Sequence, residues 1–257
     1  MDMSRIIHIA CEAGKIILEN GGETYRAEET MTRICSAYDI NNSESYVTPT
    51  LIMISATNNY GQIISLIRRV KNRKIDLYKI TLVNDLSRTI KINGITLEKI
   101  ELKLRDIKEI KRYNNLMNIL ASCLAAGFFT LVFGGNYLDF IISFVIGAII
   151  KLVIIFLSRL NAGDFFINIV GGAISASIAL ISSYFISNIH VNTILIGSIM
   201  LLVPGITIVN AIRDTISGDL ISGMSRTLEA FIVAVAIAIG SGIIIKIWFS
   251  IFGTTVL

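Results

Sequence analysis

The stretch Leu201-Leu202-Val203-Pro204-Gly205-Ile206-Thr207-Ile208-Val209 sets a proline and a glycine inside an apolar run, and Asn210, Arg213, Asp214 and Asp219 follow it at intervals that fit a helical ribbon. Proline removes an amide donor and clashes with the preceding turn, so a helix breaks there and leaves backbone groups free. At membrane depth such groups are tolerated only where they face protein or a watery cavity. Interrupted helices of this kind build transporter substrate sites, with a half-helix N-terminus aimed at a carboxylate. In that chemistry Arg213 would hold a substrate carboxylate, and Asp214 or Asp219 would carry a proton. The same residues also allow a plainer arrangement. Arg213, Asp214 and Asp219 would then lie in a cytoplasmic loop, with Pro204 an ordinary kink. Asp164 and Glu229 fall near the inner ends of apolar runs and read as interfacial.

A second polar group sits near the N-terminus, where Glu23, Thr24, Arg26 and Glu28 follow Gly21-Gly22. Thr24, Ser45 and Thr48 supply hydroxyls, but no Ser-His-Asp grouping emerges from the spacing. His8 on a helical face reads as structural. With two histidines and three cysteines (Cys11, Cys35, Cys123), none in a C-x-x-C spacing, neither a zinc site nor a disulfide framework is indicated. No metal and no cofactor is expected, and the cysteines read as reduced thiols in helices. The basic run Arg68-Arg69-Val70-Lys71-Asn72-Arg73-Lys74 reads as a solvated hairpin edge or a contact with anionic lipid in the bilayer, not as a nucleic-acid surface.

The elements that must position these residues differ sharply between the two parts of the chain. The 257 residues carry 23 Lys+Arg and 19 Asp+Glu at a mean hydropathy of +0.70. Residues 1–115 hold 18 of those basic and 14 of those acidic groups, a surplus of four, whereas 116–257 hold five of each. About 20 apolar residues span a bilayer. Five runs qualify: Leu116–Gly134, Leu138–Leu157, Phe165–Ile186, Asn192–Val209 and Leu228–Phe249. Basic residues flank alternate connections (Lys108, Lys111 and Arg112; Arg159; Arg213 and Arg226). That alternation predicts a cytoplasmic N-terminus and an external C-terminus. Arg5, His8 and Glu12 interrupt the first apolar residues, so no signal peptide is expected.

In the head, Met3 to Tyr38 shows helical spacing broken at Glu19-Asn20-Gly21-Gly22, with Thr24 placed to cap the second helix and Glu28 or Glu29 in its first turn. Tyr46 to Thr57 is β-rich, and Gln62 to Val70 would pair with it through a hairpin at Asn58-Asn59-Tyr60-Gly61. Asp76 to Ile90 and Leu97 to Tyr113 read as helices. The expected fold is a membrane all-α bundle of about five transmembrane helices (116–257) with an N-terminal cytoplasmic α+β head domain (1–115). Gly171-Gly172 with Ser175, and Gly240 with Ser241 and Gly242, predict close helix approach.

Several segments in order resemble the threonine/serine exporter (ThrE) family, in its larger, YjjP-like subunit form. They are Leu18-Glu19-Asn20-Gly21-Gly22-Glu23-Thr24-Tyr25-Arg26-Ala27-Glu28-Glu29-Thr30, then Val47-Thr48-Pro49-Thr50, Arg68-Arg69-Val70 and Val83-Asn84-Asp85-Leu86-Ser87-Arg88. The last is Val203-Pro204-Gly205 through Asn210-Ala211-Ile212-Arg213-Asp214 to Gly218-Asp219-Leu220. Where the family reads Gly-Ala-Glu-Thr-Tyr-Arg, this chain has Gly-Gly-Glu-Thr-Tyr-Arg. The resemblance implies an inner-membrane exporter of small amino acids such as threonine and serine, or of a dicarboxylate such as succinate, driven by the proton gradient. Full-length members carry a second, smaller membrane domain. This chain stops at Leu257 without it, so a separate, smaller YjjB-like membrane subunit is the implied partner, within an oligomer. The resemblance supplies no ligand list; Pro204, Gly205, Asn210, Arg213, Asp214 and Asp219 are assigned to the transport path on the physical argument alone. Glu23, Thr24, Arg26, Glu28, Thr48 and Pro49 form the head motif. Two other readings stay open. One is a membrane-anchored amidase or peptidase using Glu23, Thr24 and Arg26. The other is a regulatory subunit whose head gates a partner's pore.

Overall fold

A computed structural model describes residues 3–58, 61–71, 73–110 and 113–253. The chain divides into two compact units: Met1–Lys111 with Gly205–Leu228, and Arg112–Pro204 with Glu229–Leu257.

The first unit starts with α1 (Met3–Glu19), whose apolar positions bury Ile6, Ile7, Ala10, Ala13 and Ile17 along one face. It ends where Gly21 takes a φ of +87° and the Gly22 amide donates to the Ile17 carbonyl at 2.9 Å. That left-handed residue is the conformation glycine adopts without strain, and it closes the helix. Helix α2 (Thr24–Ala37) follows. Its N-cap is Glu23, with no side-chain cap bond. Thr24 therefore does not cap the helix as its position suggested, and its hydroxyl is used elsewhere.

Three antiparallel strands come next: β1 (Ser43–Thr48), β2 (Leu51–Thr57) and β3 (Ile63–Arg69), in that spatial order. The β-rich run expected from Tyr46 to Thr57 is thus two strands. Pro49, which has no amide to give a ladder, turns the chain between them. The strand expected at Gln62–Val70 forms as β3, while Asn59 and Tyr60 of the anticipated hairpin tip lie outside the described residues. Val47, Ile52, Ile54 and Ala56 face inward and join α1 and α2 in one core with Ile80, Val83, Ile100 and Leu104. The last four belong to α3 (Leu77–Asn93) and α4 (Leu97–Glu109). Asp76 caps α3 by accepting the Lys79 amide, and Gly94, in the left-handed region, ends it. Helix α4 stops short of the expected Tyr113.

The second unit contains α5 (Asn115–Val132), α6 (Tyr137–Arg159), α7 (Asp164–Phe185), α8 (Val191–Ile199) and the greater part of α10 (Leu220–Phe252). Four helices among the described residues, α5, α6, α7 and α10, are long and apolar enough to cross a membrane. The fourth of the five expected spans, Asn192–Val209, is not one of them. It splits into α8 and a separate α9 (Gly205–Ile216) because Pro204 cannot continue the ladder. Small residues let the helices approach closely, as their spacing implied. A Cβ added to Gly172 would stand 2.5 Å from the Ile237 carbonyl oxygen, and one on Gly240 would overlap the Ile169 carbonyl. At the start of α6, Asn136 and Asp139 form a reciprocal capping box. The buried Asp139 also accepts the His190 amide at 2.9 Å and meets the His190 ring Nδ1 at 2.9 Å.

Candidate functional site

The two polar groups singled out in the sequence, about 190 residues apart, meet inside the first unit. Helix α9 repeats polar positions at i, i+3 and i+4 (Asn210, Arg213, Asp214), which puts all three on one stripe. The Asn210 side-chain amide donates to the Gly21 carbonyl at 2.9 Å. Arg213 Nη1 donates to Glu23 Oε1 at 2.5 Å. Glu23 also accepts from Arg26, at 2.7 Å from Nε to Oε2 and 3.2 Å from Nη2 to Oε1. One buried carboxylate thus ties two arginines, one from α2 and one from α9. Burial alone would raise its pKa. The hydrogen bonds from Arg26 and Arg213 outweigh that and hold the carboxyl at about 2.

Thr24 makes the second link. Its hydroxyl lies 2.8 Å from Asp214 Oδ1 and 3.0 Å from Asp219 Oδ2. Thr24 and Asp214 are fully buried. Asp214 faces Arg226 on α10, with Nε 2.9 Å from Oδ2 in an ion pair whose partners are 4% and 0% exposed, although the alignment is outside hydrogen-bond geometry. Arg226 Nη2 also donates to the Gly22 carbonyl at 2.9 Å. Glu28, one turn after Thr24 on α2, accepts the Val47 amide at 2.8 Å. Its carboxyl is pushed above the usual range, chiefly by burial and further by the nearby Asp219 and Asp214 carboxylates, against the lowering effect of that amide.

Glycines at the head turn make this assembly possible. A Cβ on Gly22 would overlap the Ile17 side chain, so the backbone carbonyls of Gly21 and Gly22 can reach Asn210 and Arg226 only because no side chain stands in the turn. Alongside lies a cleft of about 350 Å³ lined by Glu23, Arg26, Asn210 and Arg213, with Ile80 and Ile206 among its apolar walls. It reaches Gly205 at the first turn of α9.

The predicted residues therefore do not contribute equally. Asn210, Arg213, Asp214, Asp219, Glu23, Thr24, Arg26 and Glu28 come together. Pro204 stands just before α9 and sets its start. Thr48 and Pro49 stand at the turn after Val47, whose amide holds Glu28. Sequence reasoning missed Arg226, which it counted only as a basic flank. Its spacing from Asp219 (i, i+7, across the start of α10) was the available signal. Among the described residues no cluster fit to hold a metal ion occurs. Of the three residues in the amidase reading, Thr24 is fully buried and Glu23 is tied to Arg26 and Arg213.

A family model described as "Putative threonine/serine exporter" (ThrE) matches residues 8–248, nearly the whole chain. The chain belongs to the threonine/serine exporter family. Among curated relatives, it is 22% identical over 92% of its length to the "Probable threonine/serine exporter" of Mycobacterium tuberculosis, covering 45% of that protein. It is 24% identical over 94% of its length to the "Threonine/serine exporter" of Corynebacterium glutamicum, covering 51% of it. It is also 21% identical over 95% of its length to the "Probable succinate transporter subunit YjjP" of Escherichia coli, covering 94% of that one. The chain thus spans about half the length of the first two and nearly all of the third. No solved structure matches the chain. The chain thus belongs to a family named for exporters and, among its described residues, carries four helices long and apolar enough to cross a membrane.

Proposed function

We propose that this chain is the larger subunit of a proton-driven secondary exporter that moves a small amino acid or a dicarboxylate out of the cell, together with a separate, smaller membrane subunit. The observation that carries the reading is the joining of the Gly21–Glu28 segment to α9 and Asp219. It gathers Arg213, Asn210 and a helix N-terminus around one small cleft. Arg213 suits the role of carboxylate ligand because its guanidinium is half-exposed to the cleft and already pairs with a carboxylate, Glu23. The amides of the first α9 turn add a favourable field for an anion. The nearby carboxylates supply proton acceptors. The basic flanks at Lys108 and Arg159 support a cytoplasmic N-terminus, with the head on the cytoplasmic side.

A separate partner is supported by a relative named as a transporter subunit, 94% of which this chain covers. The test is counterflow of labelled threonine, serine and succinate in proteoliposomes, with this chain alone and with the smaller subunit. Transport only in the combined preparation is the expected result. Arg213→Ala should abolish it while leaving insertion and folding normal; unchanged transport in that variant would reject the site assignment.

A further inference from the structure

We propose that α9 and the first turns of α10 lie in the membrane interface, with rows of apolar side chains set against lipid acyl chains. The placement is independent of the exporter reading and of which solute is moved. Helix α9 is inside out for a water-soluble domain. The residues it buries are Asn210, Ala211 and Asp214, two of them polar. Ile208, Val209, Ile212 and Ile216 are all exposed, Ile212 at 55% and Ile216 at 80%. Ile208, Ile212 and Ile216 are spaced i, i+4 and i+8, which makes them one row. An amphipathic helix on a soluble domain has the reverse arrangement, with its apolar stripe toward the core.

The start of α10 repeats the pattern. Leu220, Ile221, Met224 and Leu228 are exposed, Ile221 at 67% and Met224 at 73%, while Ser222 and Arg226 between them are buried. The two helices pack closely at Gly223, where an added Cβ would overlap the Thr215 hydroxyl and stand 3.1 Å from the Ala211 carbonyl oxygen. Neither row contains a charge. Asp214 and Arg226 are buried, and Arg213 pairs with Glu23. The Thr215 and Thr227 hydroxyls donate to backbone carbonyls of their own helices at 2.8 Å. Large apolar side chains scattered singly are normal on a soluble surface, but eight exposed on one helix pair need an apolar surrounding.

Three features favour acyl chains over protein as that surrounding. The exposed row of Ile221, Met224 and Leu228 continues on the same side of α10 through Ile232, Ile239 and Ile243, along a helix long and apolar enough to cross a membrane. The rows also have the wrong composition for a protein contact. Helix pairs within membranes meet at small residues, and Gly223, the small residue at hand, already faces α9. Protein interfaces are enriched in aromatic residues and arginine, which these rows lack. Finally, α9 has 12 residues, a length of about 18 Å, and cannot cross a hydrocarbon core of about 30 Å. A short helix with one apolar and one polar side lies along the interface instead. Its polar side meets the head, where Asn210 and Arg213 hold Gly21 and Glu23. Those bonds then fasten the head to a helix seated in lipid.

The test uses the full chain in phosphatidylcholine vesicles, with Trp248→Phe removing its one tryptophan. Ile212→Trp and Met224→Trp put a reporter on each row, and Leu102→Trp, exposed on α4 of the head, is the control. Lipid brominated on its acyl chains near the headgroups should quench both row reporters by about half or more, since an interfacial helix sits about 5–10 Å into that boundary. The control should change little. Row reporters quenched by aqueous iodide but not by bromine would place the rows in water and overturn the assignment. Reporters shielded from both would mean that a second copy of the chain covers the rows, which overturns it as well. Where a tryptophan variant fails to insert, a spin label on Ile212→Cys in a Cys123→Ala background takes its place. Collisions with oxygen exceeding those with a water-soluble nickel chelate support the lipid seat, and the reverse refutes it.

Discussion

Replacing Glu23 by glutamine should remove a pH-dependent part of the head's stability. The folded state holds this carboxyl at about 2, against an ordinary value of 4.5. A carboxylate lowered on folding contributes stability that is fully present above its unfolded value and is lost as pH falls through the folded one. Here that window runs from about pH 4.5 down to about pH 2. The gap of about two and a half pH units corresponds to roughly 3 kcal/mol at neutral pH. At about 2–4 °C per kcal/mol for a chain of this size, melting should drop by roughly 10 °C in Glu23→Gln at pH 7. At pH 2.5 most of that difference should have vanished, because the wild-type carboxyl is then losing its charge.

The three cysteines provide the assay. All are buried, Cys11 and Cys35 in the first unit and Cys123 in the second. Burial raises the Cys11 and Cys35 thiols to about 11, which keeps them unreactive while folded. In a Cys123→Ala background, a thiol-reactive dye therefore reports unfolding of the head at pH 7, and loss of the circular-dichroism signal on heating reports it at pH 2.5, where too little thiolate exists to react. Equal melting of Glu23→Gln and its parent at pH 7 would refute the argument. So would a difference that persists unchanged at low pH.

Three further outcomes follow from the same contacts. Arg226→Met should cost about 3–5 kcal/mol, because it leaves Asp214 buried without its counter-charge; adding Asp214→Leu should recover most of the loss in the same thiol assay. Glu28→Gln should raise the melting temperature at pH 8 and leave it unchanged at pH 4. Its carboxyl is raised on folding, so the folded state loses stability as pH climbs through that value, a loss glutamine avoids. Gly240→Ala should destabilise the helical unit by about 1–3 kcal/mol, since its methyl would overlap the Ile169 carbonyl, whereas Gly242→Ala meets nothing within 4 Å and should be tolerated. Melting followed by Trp248 fluorescence separates the two.

The membrane helices were legible because hydropathy is local: α5, α6, α7 and α10 each lie close to an apolar run of the sequence. Pro204-Gly205 was legible as a break for the same reason, although the run around it still read as a single span. The grouping of α9 with the head was not legible, since its decisive bonds, Asn210 to Gly21 and Arg213 to Glu23, join positions about 190 residues apart. No window of sequence carries such a pairing. Thr24 illustrates the cost. Its position after Gly-Gly suggested a helix cap, and only Asp214 and Asp219 explain why a threonine hydroxyl is placed there.

The charge arrangement also separates the two solute classes that the relatives' names leave open. In the cleft, Arg26 and Arg213 share one acid, Glu23, which stays ionised at any working pH. A dicarboxylate reaching Arg213 must displace Glu23 or approach it as a like charge, whereas an amino acid can set its ammonium against Glu23 and its carboxylate against Arg213. Neutralising Glu23 should therefore favour succinate over threonine. In proteoliposomes, Glu23→Gln should shift the ratio of succinate to threonine counterflow upward by about tenfold, the equivalent of about 1.4 kcal/mol. The ratio is the quantity to read, because reduced stability would lower both rates together. A ratio that stays put, or moves toward threonine, would mean that Glu23 faces no solute and only fastens α9 to the head.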